Sequence, residues 1–459
     1  MKKIFLPLLL VVFLFSCTSS QTGLKHNEIL QLTEEAYIYA IPLVIMDLTQ
    51  QVETNVFERD GVLIGAPINQ FYHRQTTATA DDRSVVRLNV DTVYSFAWLD
   101  LSDDALVFSK PKTDFYCTIG ILDAYTNCYH VLGTGGLGGE EAAVYTLHGP
   151  DYTGEILEGS IQIALPTNMA WMMGRLEYNN NLSQIRETQN AFSLIPLSEY
   201  GNPDYVLPQG TFDAENLFEP FYKIQEMPLD VFFNKFNQLA IANPGTEDDQ
   251  PALDRYAQIG VGADLVFNLN DFPLSTRQAM QSAIPSIIDK VINFRNGYTV
   301  NGWDFFDNSL ARWGTDYIFR ANIALIGLGG NPVVMAVYPT TSYDGVGNIL
   351  NGNNNYIIRF EDGQLPPAQA FWSITVYDTD GFLIPNEINK YAIRSKDNFV
   401  VNNDNSIDFY LQVEPPPREL INNWLPIPKD EFGLAMRIYR PLESVINRTW
   451  EPPPVMKND

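Results

Sequence analysis

The order of secondary-structure signals is the feature that most constrains the fold. Short apolar runs separated by Gly, Asp and Asn fill the chain from about Gly61, and similar runs return from Val333 onward. Between them, apolar residues recur at helical spacing in four segments, 229–242, 250–259, 276–294 and 315–327. A chain that reads strand-rich, then helical, then strand-rich predicts an α+β protein. We expect two antiparallel, β-rich, sandwich-like domains bridged by a helical section.

These signals also predict the domain boundaries. We expect a signal peptide over residues 1–16 and a tether over 17–26. An N-terminal β-rich domain with a leading helix then covers 27–194, a loop and helical section 195–330, and a C-terminal sandwich-like domain 331–459. The leading helix is predicted over Asn27–Gln50, and Pro42 is expected to kink or end it.

The N-terminus carries the pattern of an export signal. Lys2 and Lys3 precede an apolar run, Ile4–Phe15, that is too short to span a membrane stably. A small residue then stands directly before Cys17, which resembles a bacterial lipoprotein signal with Cys17 as the lipidated first residue. The alternative is an ordinary cleaved signal with an incidental cysteine. We expect a lipid-anchored protein of the bacterial cell envelope, either periplasmic or on the cell surface.

The charge balance excludes one class of partner. The chain has 29 Lys and Arg against 55 Asp and Glu, a net charge of -26, and loss of Lys2 and Lys3 with the signal makes it -28. Such a surface repels nucleic acid and anionic lipid. We therefore expect a small-molecule or saccharide ligand, no nucleic acid, and membrane contact through the lipid anchor only. The oligomeric state is not predicted.

Cysteine and glycine patterns bear on cofactors. After Cys17 only Cys117 and Cys128 remain, and we favour two buried free thiols over a disulfide because the intervening turn would not place them opposite each other. The loop 133–138 has the spacing of a dinucleotide-binding loop, but a strand rather than a helix follows it. No nicotinamide or flavin is expected, and no other cofactor is predicted.

Metal-ligand patterns are weak in this sequence. The four histidines are too scattered for a helix-borne metal motif, and we predict no metal ligands. The oxygen-rich loop 344–348 is compatible with calcium, but it lacks the ligand series and closing glutamate of an EF-hand. A plain turn is the favoured interpretation there.

The most distinctive polar pattern lies in Val85–Leu99, which alternates as a half-buried strand should. Arg87, Asn89 and Asp91 share one face, with successive residues roughly 6.5–7 Å apart on a strand. They can act together on one small ligand or brace one another. In the first case Asp91 is a general base or orienting carboxylate, and Arg87 and Asn89 hold an oxyanion or hydroxyl.

Further candidates are polar or aromatic residues for which a structural role is an equal or stronger alternative. Buried arginines need carboxylate or carbonyl partners, so they are either ion pairs or anion-binding groups. Aromatic residues on alternating strands are core by default. The secondary catalytic candidates are His73 and Tyr125, and the binding candidates are Arg320, Trp372, Tyr377 and Arg437.

A set of separated motifs resembles a bacterial family. Segments 69–74, 86–95, 123–127 and 166–175 resemble the domain of unknown function numbered 1254, and segments 314–321, 338–339, 365–367, 371–378, 423–426 and 437–441 resemble its partner, numbered 1214. The resemblance implies two β-rich domains with helices between them and carries no settled activity. This chain has Gly135 where the family usually has an arginine, which implies altered specificity or lost activity.

Three functions fit these patterns. The first is an enzyme that acts on a small organic or saccharide-like molecule by hydrolysis or a related acid/base step, in a cleft between the β domains. The second is a non-catalytic lipoprotein that captures a glycan or aromatic ligand, and the third is a structural role in which the motif residues are buried braces. A deep polar pocket with a shifted ionisable residue favours the enzyme, and a shallow aromatic platform favours the binder.

Overall fold

The structure is a computed structural model that describes residues 23–57, 65–83 and 86–458. The predicted signal peptide and the predicted lipidation site, Cys17, lie outside the described residues. Within them, helices and mostly antiparallel sheets alternate as expected, which confirms the α+β fold class.

The N-terminal domain is built from two sheets with a shared apolar core. The first sheet has the strand order β1 (Tyr72–His73), β2 (Thr92–Asp100), β9 (Met169–Glu177), β4 (Cys117–Asp123), β5 (His130–Gly133), β6 (Leu137–Gly138). The second has the order β10 (Ser193–Pro196), β3 (Leu106–Lys110), β7 (Ala143–His148), β8 (Ile161–Ala164). All neighbouring pairs are antiparallel except β5–β6 and β7–β8.

The C-terminal domain repeats this plan. Its larger sheet has the order β11 (Gly297–Val300), β12 (Trp303–Phe306), β14 (Thr340–Thr341), β20 (Phe432–Pro441), β16 (Ala368–Asp378), β17 (Ala392–Arg394), with β13 (Ala336–Val337) also paired to β20. Its smaller sheet has the order β19 (Trp424–Pro426), β18 (Ile407–Gln412), β15 (Tyr356–Phe360), β21 (Met456–Lys457). Strands β11 and β12, which the sequence analysis placed in the helical section, extend the larger sheet.

The helices form a third apolar core against the outer face of the first sheet. The helices of this core are α1 (His26–Glu53), α3 (Pro220–Glu226), α4 (Leu229–Ala242), α5 (Gln250–Tyr256), α6 (Leu274–Ile292) and α7 (Tyr317–Ile326). Helix α2 (Leu182–Asn190) packs instead in the N-terminal core through Ile185, and α8 (Glu443–Ile446) packs in the C-terminal core through Val445. Helix α1 is long and apolar enough to cross a bilayer, but most of that stretch is buried inside the protein. It is the central helix onto which α3, α4, α5, α6 and α7 pack.

The expectation that Pro42 kinks or ends the leading helix is wrong in its second part. Helix α1 continues through Pro42 to Glu53, and Pro42 itself is buried. Proline removes one backbone hydrogen bond from a helix. Burial of both flanks of the helix in the apolar core compensates for this loss.

The prediction of a strand over Val85–Leu99 is correct only for its second part, from Thr92 onward. Strand β2 begins only at Thr92, and Arg87 has a left-handed backbone with φ of 54°. The physical reason is a tertiary contact, because the Arg87 amide donates a 2.6 Å hydrogen bond to the Gly381 carbonyl of the C-terminal domain. The alternation in residues 86–91 is therefore not a strand pattern. This segment is a loop bound by the other domain.

Candidate functional site

The loop 86–91 carries the three predicted polar residues into the C-terminal domain. Asp91 is buried, accepts a 2.5 Å hydrogen bond from Ser373 Oγ, and forms an ion pair with Arg394 Nε at 3.2 Å. Its backbone amide donates to Asn89 Oδ1 at 2.7 Å. Asn89 Nδ2 in turn donates to Tyr439 Oη at 2.7 Å. Asp91 therefore has both carboxylate oxygens bonded to strands of the other domain.

Arg437 occupies the centre of this contact. Its Nη2 donates to the Arg87 carbonyl at 3.0 Å and to Tyr377 Oη at 2.7 Å, and its Nη1 donates to Thr375 Oγ1 at 3.0 Å. Tyr377 Oη donates to the Leu88 carbonyl at 2.6 Å. Although burial lowers the pKa of Arg437, the surrounding phenols and Asp91 raise it further than burial lowers it. Arg437 is thus a buried cation with its partners in place.

We call this set the interdomain clasp. It joins the N-terminal loop to three neighbouring strands of the larger C-terminal sheet, β16, β17 and β20. Sequence reasoning placed five of its members in one site, and the structure does bring those five together. The clasp comprises Arg87, Leu88, Asn89, Val90, Asp91, Ser373, Thr375, Tyr377, Arg394, Arg437 and Tyr439.

Two predicted site residues, Trp372 and His73, are buried inside the individual domains, away from the clasp. Trp372 is buried in the core between the two C-terminal sheets, where its ring stacks at 6.0 Å on Phe399. His73 is buried in the N-terminal domain, with Nδ1 at 2.9 Å from Ser95 Oγ and its ring stacked on Phe71. The predicted site residues therefore do not line one common cleft in the structure.

Arg320 defines a second cluster, which we call the arginine cage. The side chain lies on α7 and is 1% exposed. Its guanidinium carbon lies 4.8 Å from the ring centroid of Tyr39, 5.1 Å from that of Tyr125 and 4.9 Å from that of Tyr317. Cation–π contacts at such distances stabilise a desolvated arginine. Tyr256 completes the ring of phenols, with its centroid 5.6 Å from that of Tyr39.

Charge compensation in the cage is incomplete. Asp249 is 2% exposed, and its Oδ1 lies 4.0 Å from Arg320 Nη1, which is beyond hydrogen-bond distance. Arg320 Nε and Nη2 have no hydrogen-bond partner among the residues that the structure describes. A buried N–H group without a partner costs about 1–3 kcal/mol, and more when it is charged. The cage therefore has donor capacity that the described protein groups leave unused.

Local sequence explains how each cage residue is held. Asp123 accepts hydrogen bonds from the amides of Tyr125 and Asn127, which closes the 123–127 turn and fixes Tyr125. The Tyr125 hydroxyl donates to the Asn243 carbonyl at 3.1 Å. Asp249 Oδ2 accepts from the Thr246 amide at 2.9 Å. Tyr125 and Asp249 are thus held by a turn and by a helix cap, respectively.

Burial dominates the electrostatics of the cage. It raises the pKa of the Tyr39 and Tyr125 phenols, and it raises that of Tyr256 to about 12. The pKa of Tyr317 is raised first by burial and then by Asp249. Burial also raises the pKa of Asp123 to about 6, against the opposing effect of its bonds to Asn127. The phenols therefore stay protonated at neutral pH.

At Gly245 the backbone runs so close to the cage that no side chain would fit. A Cβ atom at Gly245 would lie 2.5 Å from Tyr39 Oη and 3.2 Å from Asp249 Oδ2. Only a residue without a side chain allows the backbone to approach these two polar atoms so closely. Tyr317 is half-buried, so the cage lies directly below the molecular surface at this ring.

Sequence reasoning found two cage residues, Arg320 and Tyr125, and missed the rest. Tyr317 lies in the motif 314–321 that marked Arg320, so the motif contained the signal. Asp249 is the last residue of an acidic run after Thr246, and this spacing indicates a helix cap. The cap explains the residue locally, so the sequence gives no sign of its approach to Arg320. Tyr39 lies in an apolar helix, where an aromatic residue is indistinguishable from core.

Metal and thiol expectations can also be compared with the structure. Asp344 accepts hydrogen bonds from the amides of Val346 and Asn348, so the oxygen-rich loop is a closed turn. Among residues 23–57, 65–83 and 86–458, no group of three or more His, Cys, Asp or Glu side chains could hold a metal ion. Cys117 and Cys128 are buried free thiols, as predicted, and burial raises the pKa of each to about 12.

Fold and sites together define an α+β protein of two clasped β-rich domains with an arginine cage between the first sheet and the helices. Residues 68–196 match the family model DUF1254 and residues 335–443 match DUF1214, both described as proteins of unknown function. These matches confirm the predicted pairing of two domains of unknown function in one chain. No curated protein shows significant sequence similarity to it.

Comparison with solved structures bears on the fold alone. The VPA0106 protein of Vibrio parahaemolyticus is similar with a TM-score of 0.69 and 19% identity, over 94% of this chain and 100% of that one. An uncharacterised Burkholderia cenocepacia protein gives a TM-score of 0.42 and 12% identity over 96% of each chain. The first similarity establishes the shared fold.

Proposed function

We propose that the protein is an exported, lipid-anchored enzyme that uses hydrolase-like acid/base chemistry on a small, anionic organic or saccharide-like substrate. The observation that carries the proposal is the pair of buried Arg320 N–H groups without a described protein partner. A carboxylate or oxyanion of the substrate satisfies both donors at once, since a guanidinium presents parallel N–H groups that match such an oxygen pair.

Asp249 is the general base in this proposal. Its Oδ1 faces Arg320, while its Oδ2 is held by Thr246. The carboxylate takes a proton from water as the water oxygen bonds to the substrate carbon. That proton then passes to the leaving group as the scissile bond breaks, and Arg320 stabilises the negative charge that develops. Asp91, the base predicted from the sequence, is fully bonded in the clasp, so the proposal moves this role to Asp249.

The cage also supports the alternative function of ligand capture without turnover. Three rings hold the Arg320 guanidinium within about 5 Å of their centroids. A pre-organised site of this kind binds an anion without the entropic cost of ordering its side chains. Capture and catalysis share the role of Arg320 and differ in the role of Asp249.

Arg320→Met tests the binding step, with Arg312→Met as the matched control because Arg312 is exposed on the same loop-helix segment. Thermal unfolding of the mature chain is measured with acetate, succinate, benzoate and glucuronate. At a ligand concentration of 100 times Kd, we expect about 2.7 kcal/mol of stabilisation in the wild type and the control, and none in Arg320→Met. Equal stabilisation of Arg320→Met would contradict the proposal.

Asp249→Asn separates the two functions. Esters and glycosides of the acids that bind are assayed for hydrolysis. An enzyme loses at least about 100-fold in turnover with binding retained. A wild-type chain that binds an acid but hydrolyses none of its derivatives supports the capture function. Circular dichroism of each variant shows whether the fold is kept.

A further inference from the structure

The start of α6 and the loop before it carry exposed apolar side chains, which we call the end patch. Val266 is 78% exposed, Leu274 59% and Leu265 38%. They flank a buried aromatic pair, since the rings of Phe267 and Phe272 lie 5.9 Å apart. Exposed aliphatic residues grouped around a fixed aromatic support are typical of a contact surface.

The end patch lies beside the first turn of α1. His26 Nδ1 is 2.9 Å from Thr276 Oγ1, and Thr276 is two residues beyond Leu274 in α6. The patch and the point at which the chain enters the fold therefore share one end of the molecule.

We propose that the end patch rests on the lipid bilayer to which Cys17 is anchored; this inference rests on the lipid anchor of the proposed function. His26 lies nine positions after Cys17, and a fully extended chain of that length spans at most ~30 Å. An acylated Cys17 therefore holds His26 within that distance of the bilayer surface, and the end patch lies beside His26 through the contact with Thr276.

A second exposed apolar group provides the comparison. Val206 is 81% exposed and Phe57 61%, and the segment that follows Val206 is held to the end of α1 by the Gly210 amide, which donates to the Phe57 carbonyl. This group lies beyond the last residue of α1. Since α1 has 28 residues, it is about 42 Å long, so its two ends lie at very different distances from the anchor.

Charge near the end patch favours no particular headgroup. Within three positions of the patch residues or of the start of α1, the sequence carries the cations Lys25 and Arg277 and the anions Asp264 and Asp271. Opposite charges cancel at this distance from the membrane, so anionic lipid is not required. The partner is a zwitterionic bilayer surface, contacted through aliphatic side chains at the interface.

Single-cysteine labelling tests this orientation in the full chain. Val266→Cys and Val206→Cys introduce one reactive thiol each, because Cys117 and Cys128 are buried and an acylated Cys17 has no free thiol. The purified lipoprotein is reconstituted in phosphatidylcholine vesicles and labelled with an environment-sensitive fluorophore. We expect a blue shift at position 266 and at least about twofold stronger quenching by spin-labelled lipid there than at position 206.

The outcomes separate the orientation from the anchor. Equal quenching at the two positions, or stronger quenching at 206, overturns the orientation if mass spectrometry shows an acylated Cys17. A mass without acyl groups overturns the anchor and the orientation together, and it leaves the assignment of the arginine cage to its own test.

Discussion

Two tyrosines that are equally buried should respond in opposite directions to the same substitution. Tyr37 and Tyr145 both have 0% exposure. The Tyr145 hydroxyl donates to the Leu137 carbonyl at 2.8 Å, whereas the Tyr37 hydroxyl has no partner among the described residues and packs against Phe232. Substitution by phenylalanine removes one oxygen in each case and leaves the ring.

The magnitudes follow from the state of each hydroxyl. Tyr145→Phe loses a hydrogen bond worth about 0.5–1.5 kcal/mol and leaves a carbonyl unpaired, so the free energy of unfolding falls by about 1 kcal/mol or more. Tyr37→Phe removes a hydroxyl that loses its hydrogen bonds to water on folding and gains no partner among the described residues. A buried unpaired hydroxyl costs about 1–3 kcal/mol, so the free energy of unfolding should rise by about 1 kcal/mol.

Urea unfolding of the purified protein, followed by circular dichroism and tyrosine fluorescence, measures both changes. Each variant is compared with the wild type at the same transition, because a chain with three cores can unfold in more than one step. A Tyr37→Phe variant that loses as much stability as Tyr145→Phe would refute the reasoning, since it would show that the Tyr37 hydroxyl makes a net favourable interaction.

Three further substitutions test the clasp, a buried carboxyl and the cage. Asp91→Asn removes the charge that faces Arg394 and should cost about 2 kcal/mol of unfolding free energy, measured in urea. Burial raises the pKa of Glu53 from 4.5 to about 7, so the folded state binds its proton more tightly than the unfolded state does. The free energy of unfolding should therefore fall as the pH rises from about 5 to about 7, and Glu53→Gln should reduce that fall. Gly245→Ala places a methyl group against Tyr39 and should abolish stabilisation by bound acids without unfolding the chain.

Each of these three has a result that would count against it. An unchanged urea midpoint in Asp91→Asn would mean that the buried ion pair contributes nothing net. A pH profile of Glu53→Gln that coincides with the wild type would assign the fall to other groups. Undiminished acid binding in Gly245→Ala would place the ligand away from Tyr39.

The sequence predicted most regular elements because local pattern and tertiary context agree there. Helix α4 has the bounds that periodicity predicts. In two places tertiary contacts override the structure that the local sequence pattern predicts. Pro42 is tolerated inside α1 because the helix is buried around it, and the alternation of residues 86–91 is overridden by hydrogen bonds from the C-terminal domain.

The two sites differ in how much of them a sequence can reveal. The clasp was found because polar residues at close spacing stand out in one segment. The cage was found only through Arg320 and Tyr125, since Tyr39 and Asp249 come from distant segments and each has an adequate local explanation. No pairwise pattern in a single sequence indicates that α1, α5 and α7 meet at one guanidinium.

The clasp has a consequence for how the molecule can be divided. Buried donors of the C-terminal sheet, on Arg437 and Ser373, take their acceptors from a loop of the N-terminal domain. A C-terminal half expressed by itself would have to solvate a buried cation that it cannot neutralise. Each half therefore depends on the other for these contacts, and a truncation at the domain boundary should produce insoluble fragments. Co-expression of the two fragments should restore a folded complex.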